Sequence, residues 1–200
     1  MPRSTPRTGG LAPDFTVRTL DGDRIALDAL RVGAPGAPVT VVEFADFGCP
    51  WCARFALETL PALRAELVEA GRVRWRVVPF VLGSFPNGGE AFRAAACVAE
   101  QGGALVWPMH DRLFGHATEW KASLEPEALL RPIAVEAGAD GAPFDACLEG
   151  PGAADREAAA GALAGRMGVR STPTFFVNGK LVQGALPLAA FRQVLEDAGA

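Results

Sequence analysis

Two of the four cysteines in the sequence form a close pair, Cys49 and Cys52, with Pro50 and Trp51 between them. A pair with this spacing can exchange disulfides, because a thiolate on one sulfur attacks a disulfide and the other sulfur releases the mixed disulfide. The same spacing also occurs in half of a zinc site and in structural disulfides. The residues around the pair are therefore needed to distinguish disulfide exchange from a zinc site and from a structural disulfide.

A zinc site needs about four ligands, and the sequence offers few others in a suitable pattern. The remaining cysteines, Cys97 and Cys147, lie far apart and do not form a second close pair. His110 and His116 show no ligand spacing with any cysteine. We therefore predict no metal and no bound cofactor, and we favour thiol–disulfide exchange.

The residues on either side of the pair predict a strand–helix–strand unit. The run 39–45 (VTVVEFA) is rich in β-branched residues without alternation, which is typical of a strand buried on both faces. A helix is predicted after it, with a kink at Pro61 and an end at Gly71. Residues 73–80 form the next strand, parallel to the first, with a right-handed crossover.

Cys49 falls between the buried strand and the predicted helix, next to Pro50, which is favoured in a first helical turn. The unpaired N–H groups and the positive end of the helix dipole favour a thiolate there. A free thiol has a pKa of about 8.5, and this placement lowers it. We predict that Cys49 is the exposed attacking sulfur and that Cys52, one turn deeper, is the resolving sulfur.

The rest of the chain predicts a sheet interrupted by helices. Residues 1–10 indicate a disordered lead, and a short hairpin is predicted within 15–27. Helices are predicted at 90–101, 107–116, 126–138, 143–148 and 154–166. A strand at 174–177, a turn at 178–179, a strand at 180–183 and a helix at 187–197 close the chain. The pattern predicts an α/β sheet with an inserted all-helical block.

A second signal is independent of the cysteines. In the run 171–179 (STPTFFVNG), Pro173 immediately precedes a predicted strand. A cis bond between Thr172 and Pro173 would be a special feature, since only about 5–6% of X–Pro bonds in folded proteins are cis. A proline at that place leaves a strand edge with which a substrate backbone can pair. The sequence leaves the isomer open.

Together, the runs 43–52 (EFADFGCPWC) and 172–179 (TPTFFVNG) resemble the DsbA-like branch of the thioredoxin superfamily. The resemblance covers about residues 37–200. It implies a thioredoxin fold with an inserted all-helical subdomain, in which 11–88 and 167–200 form the thioredoxin-like domain and 89–166 the insertion. The implied activity is that of a protein disulfide oxidoreductase.

The resemblance also implies roles for single residues. Cys49 would be the nucleophile and Cys52 the resolving cysteine, and Pro173 would be the cis-proline, with Thr172 beside the disulfide. Glu43 matches a buried acid beneath the pair that could take a proton from Cys52; the alternative is an ordinary charged residue at a strand end.

The chain departs from the strongly oxidising members of the branch between its two cysteines. The dipeptide Pro50-Trp51 lacks their histidine, whose positive charge would stabilise the Cys49 thiolate. Trp51 supplies bulk and an apolar docking surface, or is only a semi-exposed aromatic. The dipeptide does not fix the direction; we favour that of an oxidase or isomerase, with a reductase as the alternative.

Two further sites have alternatives. Members similar to this chain often carry a second, structural disulfide, which Cys97 and Cys147 would form if their helices pack as neighbours; otherwise they are buried free thiols. His110, beside Asp111, is interpreted as a packed core histidine, although a catalytic Cys–His arrangement is conceivable.

Composition limits the partners. The chain has 200 residues, a net charge of -4 and a pI near 5.3, which offers no basic surface for a nucleic acid. No run approaches the roughly 18 apolar residues of a membrane span, so no membrane insertion is predicted. We expect a monomer that acts on protein thiols and disulfides and is recycled by a membrane oxidase or reductase.

The sequence leaves the compartment open. Residues 1–10 carry basic residues without an apolar segment after them, so they are not a complete signal peptide. We favour the periplasm or cell envelope, with Met1 starting a trimmed mature domain; the alternative is a cytoplasmic reductase of the same fold. A non-enzymatic redox-sensing or chaperone module is the rival from a different functional class.

Overall fold

The computed structural model describes residues 31–200. The lead at 1–10 and the hairpin expected within 15–27 lie outside the described residues. A five-stranded sheet is formed by β1 (Arg31–Val32), β2 (Val39–Ala45), β3 (Val73–Pro79), β4 (Thr174–Val177) and β5 (Lys180–Gln183). Its order is β1-β3-β2-β4-β5, with β2 and β3 parallel and the other neighbours antiparallel.

The central strand β2 is covered on both faces, as its apolar run predicts. It pairs with β3 on one side and with β4 on the other, where Phe44 lies opposite Thr174. This pairing brings residues 172–174 beside the end of β2, where the Cys49 loop begins. The strand from the second half of the chain is therefore adjacent to the cysteine pair.

The helix after β2 contains alternating α and π turns. Its α-helical parts are α1 (Pro50–Arg54) and α2 (Leu60–Leu63), and the π turns are Phe55–Thr59 and Arg64–Val68. A kink was expected at Pro61, which has no N–H to donate. The structure accommodates it with the π turn just before it, where the Leu60 N–H donates to the Phe55 carbonyl.

The helical block follows β3 and runs to β4. It contains α3 (Gly88–Gln101), α4 (Val106–Gly115), α5 (Ala117–Ala122), α6 (Pro126–Glu136), α7 (Gly141–Glu149) and α8 (Gly152–Arg166); α9 (Leu188–Asp197) closes the fold. The predicted helices agree with these to within two residues at each end. The sequence interpretation missed α5, which has only six residues and is held by a tertiary contact: the Asn87 amide donates to the carbonyls of Trp120 and Ser123.

Helices of the block pack with the sheet in two buried apolar clusters. Phe47, after β2, packs on Phe114 of α4, with ring centroids 5.2 Å apart. Both belong to a buried cluster that also contains Trp75 of β3 and Leu195 of α9. The predicted fold class, a thioredoxin fold with a helical insertion, is confirmed; the domain boundaries stay a prediction.

Candidate active site

Cys49 is the N-cap of α1, and Pro50 is the first helical residue. Its backbone is extended, its N–H donates to the Asp46 carbonyl at 3.0 Å, and its carbonyl accepts the first helical bond, from Ala53, at 3.1 Å. The sulfur therefore lies at the end of the helix where unpaired N–H groups and the dipole favour an anion. Cys49 and Cys52 are both free thiols.

The expectation that Cys49 is exposed is wrong. Its residue surface is 2% exposed, and that of Cys52 is fully buried. The loop before β4 contributes to the burial of Cys49. The Cys49 thiol donates a hydrogen bond to the Thr172 carbonyl in this loop, at 3.4 Å. Trp51, which is 57% exposed, and Pro50 are the exposed residues between the two cysteines.

The two sulfurs differ in acidity. The hydrogen bond from the Cys52 thiol lowers the pKa of Cys49 to about 6, aided by the Thr172 side chain and by the N–H groups of Trp51 and Cys52, while burial opposes the shift. Burial raises the pKa of Cys52, and the hydrogen bond to Cys49 and the charges of Cys49 and Glu43 act in the same direction. Cys49 is thus the thiolate, and Cys52 keeps its proton at neutral pH.

Glu43 is a fully buried carboxyl on β2, close enough to Cys52 for its charge to act on that thiol. Burial raises its pKa to about 7, and a hydrogen bond from the Trp75 indole N–H to Oε2, 2.9 Å long, opposes the shift. Its other oxygen, Oε1, has no protein partner among the described residues. A carboxyl with these properties can take or give a proton near neutral pH.

The peptide bond between Thr172 and Pro173 is cis, and Pro173 directly precedes β4. Thr172 is buried and contacts Cys49 through its carbonyl oxygen. The Pro173 carbonyl accepts from the Gly184 N–H at 2.9 Å, which fixes the loop against the end of β5. The structure thus brings the two runs singled out in the sequence together at one site.

The structure places the other predicted residues away from the pair. Cys97 of α3 and Cys147 of α7 form a disulfide, with 2.03 Å between the sulfurs. His110 is buried among aromatic rings, and its Nδ1 lies 2.9 Å from a carboxylate oxygen of Asp111, as a packed core histidine would. Within residues 31–200, no group of three or more His, Cys, Asp or Glu side chains could hold a metal.

Sequence reasoning missed two charged residues beside the site, Asp46 and Lys121. The Asp46 carboxylate accepts from the Gly48 N–H at 2.8 Å, and the Lys121 ammonium donates to the Gly48 carbonyl at 2.6 Å. The Asp-x-Gly spacing just before Cys49 is typical of an Asx turn and could have indicated the first residue. Lys121 lies 73 residues further along the chain, and no local signal pointed to it.

A family model described as thioredoxin matches residues 26–197. The chain belongs to the thioredoxin family. Among solved structures, BdbD from Bacillus subtilis superimposes with a TM-score of 0.77 at 23% identity, covering 86% of this chain and 94% of that one. DsbA proteins are also among the similar structures. The fold of this thioredoxin-family chain is therefore DsbA-like.

Curated relatives of this thioredoxin-family chain carry two kinds of name. Disulfide bond formation protein D from Bacillus subtilis is 24% identical over 185 residues, covering 82% of this chain and 74% of that protein. A protein named Na(+)/H(+) antiporter NhaA 3, from Salinispora tropica, is 38% identical over 181 residues. That match covers 90% of this chain but only 25% of that protein.

The chain spans about a quarter of the length of the antiporter-named relatives it matches. Their name describes whole proteins, of which this chain matches one part. Between residues 31 and 200, none of the helices has the length and apolar character that crossing a membrane requires.

Proposed function

We propose that this protein is a thiol:disulfide oxidoreductase that exchanges disulfides with protein substrates through Cys49 and Cys52. The observation that carries the proposal is the opposite acidity of the two thiols: the pKa of Cys49 is lowered to about 6, and that of Cys52 is raised. An attacking or leaving thiolate beside a protonated resolving thiol is what stepwise exchange requires. The name of the Bacillus subtilis relative, a disulfide bond formation protein, agrees with this activity.

In the oxidising direction, a substrate thiolate attacks the Cys49 sulfur of the Cys49–Cys52 disulfide. The Cys49–Cys52 bond breaks, and Cys52 leaves as a thiolate that takes a proton from Glu43. A second substrate thiolate then attacks the substrate sulfur of the mixed disulfide, and Cys49 leaves as the stable thiolate. Two electrons pass from the substrate, which gains a disulfide, to the protein, which gains two reduced cysteines.

In the reducing direction, the Cys49 thiolate attacks a substrate disulfide, forms a mixed disulfide with one substrate sulfur and displaces the other as a thiolate. Glu43, with a pKa of about 7, accepts the proton of Cys52. The Cys52 thiolate then attacks Cys49 and releases the reduced substrate. Thr172 and Pro173, with their backbone beside Cys49, bind the substrate backbone, and the exposed Trp51 contacts its side chains.

We propose the oxidising direction as the main one, because a stabilised Cys49 thiolate stabilises the reduced protein. Thioredoxin has a cysteine pKa of about 7 and strongly oxidising DsbA one of about 3.5, so a value of about 6 lies between them. We accordingly expect a reduction potential between about -270 and about -120 mV. An extracytoplasmic location and a membrane-bound recycling partner belong to the same proposal.

A trapping experiment tests the activity. A Cys52→Ser variant should accumulate mixed disulfides at Cys49 with many client proteins, because the resolving thiol is gone. A Cys49→Ser variant is the matched control and should trap none. A single trapped partner would favour a redox-sensing module instead, and an absence of trapped proteins would refute the exchange activity.

Equilibration of the purified protein with glutathione tests the direction. Mass mapping of all four cysteines separates the Cys49–Cys52 couple from the Cys97–Cys147 disulfide. A potential near -270 mV or below would make the protein a reductase.

A further inference from the structure

A lysine from the helical block reaches the redox site. Lys121 lies in α5, and its ammonium group donates to the Gly48 carbonyl oxygen at 2.6 Å. Gly48 is bonded directly to Cys49, so this positive charge lies against the peptide group next to Cys49. The ammonium also lies 5.8 Å from the centre of the Phe85 ring. The lysine is half-buried, where a charge acts more strongly than in bulk water.

A buried carboxylate lies on the other side of the same peptide. Asp46 is 1% exposed, and its two oxygens accept from the N–H groups of Gly48 and Leu82, both at 2.8 Å. Its carbonyl accepts from the Cys49 N–H at 3.0 Å, and its backbone also forms a hydrogen bond with Cys52. Asp46 therefore contacts both cysteines through its backbone while its charge faces Lys121.

The surroundings leave this arrangement little freedom. A Cβ atom on Gly48 would lie 2.5 Å from Cβ of Phe85 and 3.2 Å from Oδ1 of Asp46, and one on Gly88 would lie 3.0 Å from that oxygen. The Asn87 amide donates hydrogen bonds to the carbonyls of Trp120, Lys121 and Ser123, at the end of α5. The positions of both charges relative to Cys49 are thus fixed by packing.

We propose that Lys121 and Asp46 are positioning residues that tune the stability of the Cys49 thiolate in opposite directions. A nearby positive charge favours a thiolate and a nearby negative charge disfavours it. Lys121 therefore takes the place of the charge that the dipeptide Pro50-Trp51 lacks, and it offsets the charge of Asp46. This inference deepens the proposed function and rests on it.

Three other groups influence the Cys49 sulfur, and none of them is replaced in the variants tested. Cys52 and Thr172 form hydrogen bonds with it, and Glu43 acts on it through Cys52. Opposite shifts of the Cys49 titration midpoint on changes of charge at positions 46 and 121 therefore report the altered charge.

The experiment measures the rate of iodoacetamide alkylation of reduced protein against pH, together with the equilibrium with glutathione. Lys121→Met should raise the titration midpoint of Cys49 and make reduction of the protein by glutathione about threefold less favourable at pH 7. Asp46→Asn should move both readouts in the opposite direction. Lys121→Arg keeps the charge and should retain the wild-type midpoint. Lys180→Met, an equal loss of charge at an exposed position of β5, is the matched control and should shift neither readout.

Three results would overturn the proposal. Lys121→Met and Asp46→Asn moving the midpoint in the same direction would mean that each only loosens the loop. No shift in Lys121→Met, or an equal shift in Lys121→Arg, would also overturn it, and this comparison suffices if Asp46→Asn does not fold. A wild-type midpoint near the ordinary value of about 8.5 would instead remove the basis of the proposed function.

Discussion

Replacement of Glu43 by glutamine should change how the stability of the protein depends on pH. The carboxyl is fully buried on the central strand, and its only hydrogen bond to a described residue comes from the Trp75 indole. Burial raises its pKa from 4.5 to about 7. The folded protein therefore holds this proton more tightly than the unfolded chain does.

The raised pKa can be expressed as a free energy of unfolding. Each pKa unit corresponds to about 1.4 kcal/mol, so the shift at Glu43 corresponds to roughly 3 kcal/mol. Because the folded-state value is the higher one, this stabilisation is fully present below about pH 4.5 and is lost as the pH rises through about 7. Glutamine has the same shape and no proton to lose. The wild type should therefore lose roughly 3 kcal/mol relative to Glu43→Gln over that interval.

Urea unfolding of both proteins between pH 4 and pH 8 measures this difference. The oxidised protein is used, because Cys49 and Cys52 do not titrate while they are joined in a disulfide. Glu69→Gln, the same change at an exposed position, serves as the control and should show a constant difference from the wild type. A difference between wild type and Glu43→Gln that stays constant across the range would refute the reasoning that burial keeps this acid protonated.

Three further predictions concern the scaffold of the site. Replacing Cys97 and Cys147 together by alanine removes a cross-link between residues separated by 50 positions, which should lower the free energy of unfolding by roughly 4 kcal/mol. The pH midpoint of Cys49 alkylation should stay unchanged. An unchanged temperature midpoint of unfolding would contradict this prediction. Gly48→Ala brings a Cβ against Phe85 and should cost about 1–3 kcal/mol, whereas Gly115→Ala meets no atom within 4 Å and should not show that loss in the same denaturation assay. Asn87→Gly can keep the left-handed backbone conformation but removes the side-chain hydrogen bonds to the carbonyls of Trp120 and Ser123. Thermal unfolding should show a loss of about 1–3 kcal/mol in stability. A variant as stable as the wild type would show that these hydrogen bonds contribute little.

The sequence by itself determined the local elements of the site. The β-branched run before Asp46, the proline after Cys49 and the spacing of the two cysteines together require a buried strand, a sharp turn and a helix with a thiol at its first turn. The strand after Pro173 and the hairpin that follows were equally local. Such elements depend on propensity and on hydrophobic period, which neighbouring residues carry.

Only the tertiary structure decided what surrounds Cys49. The cover over Cys49 comes from Thr172, 123 residues away, and the positive charge beside Gly48 comes from Lys121, 73 residues away. The raised pKa of Glu43 and the bond between Cys97 and Cys147 also need the packed helices and sheet. The physical reason is that burial and charge act through space, so their effect on a thiol depends on which distant segments the fold brings within a few ångströms of it.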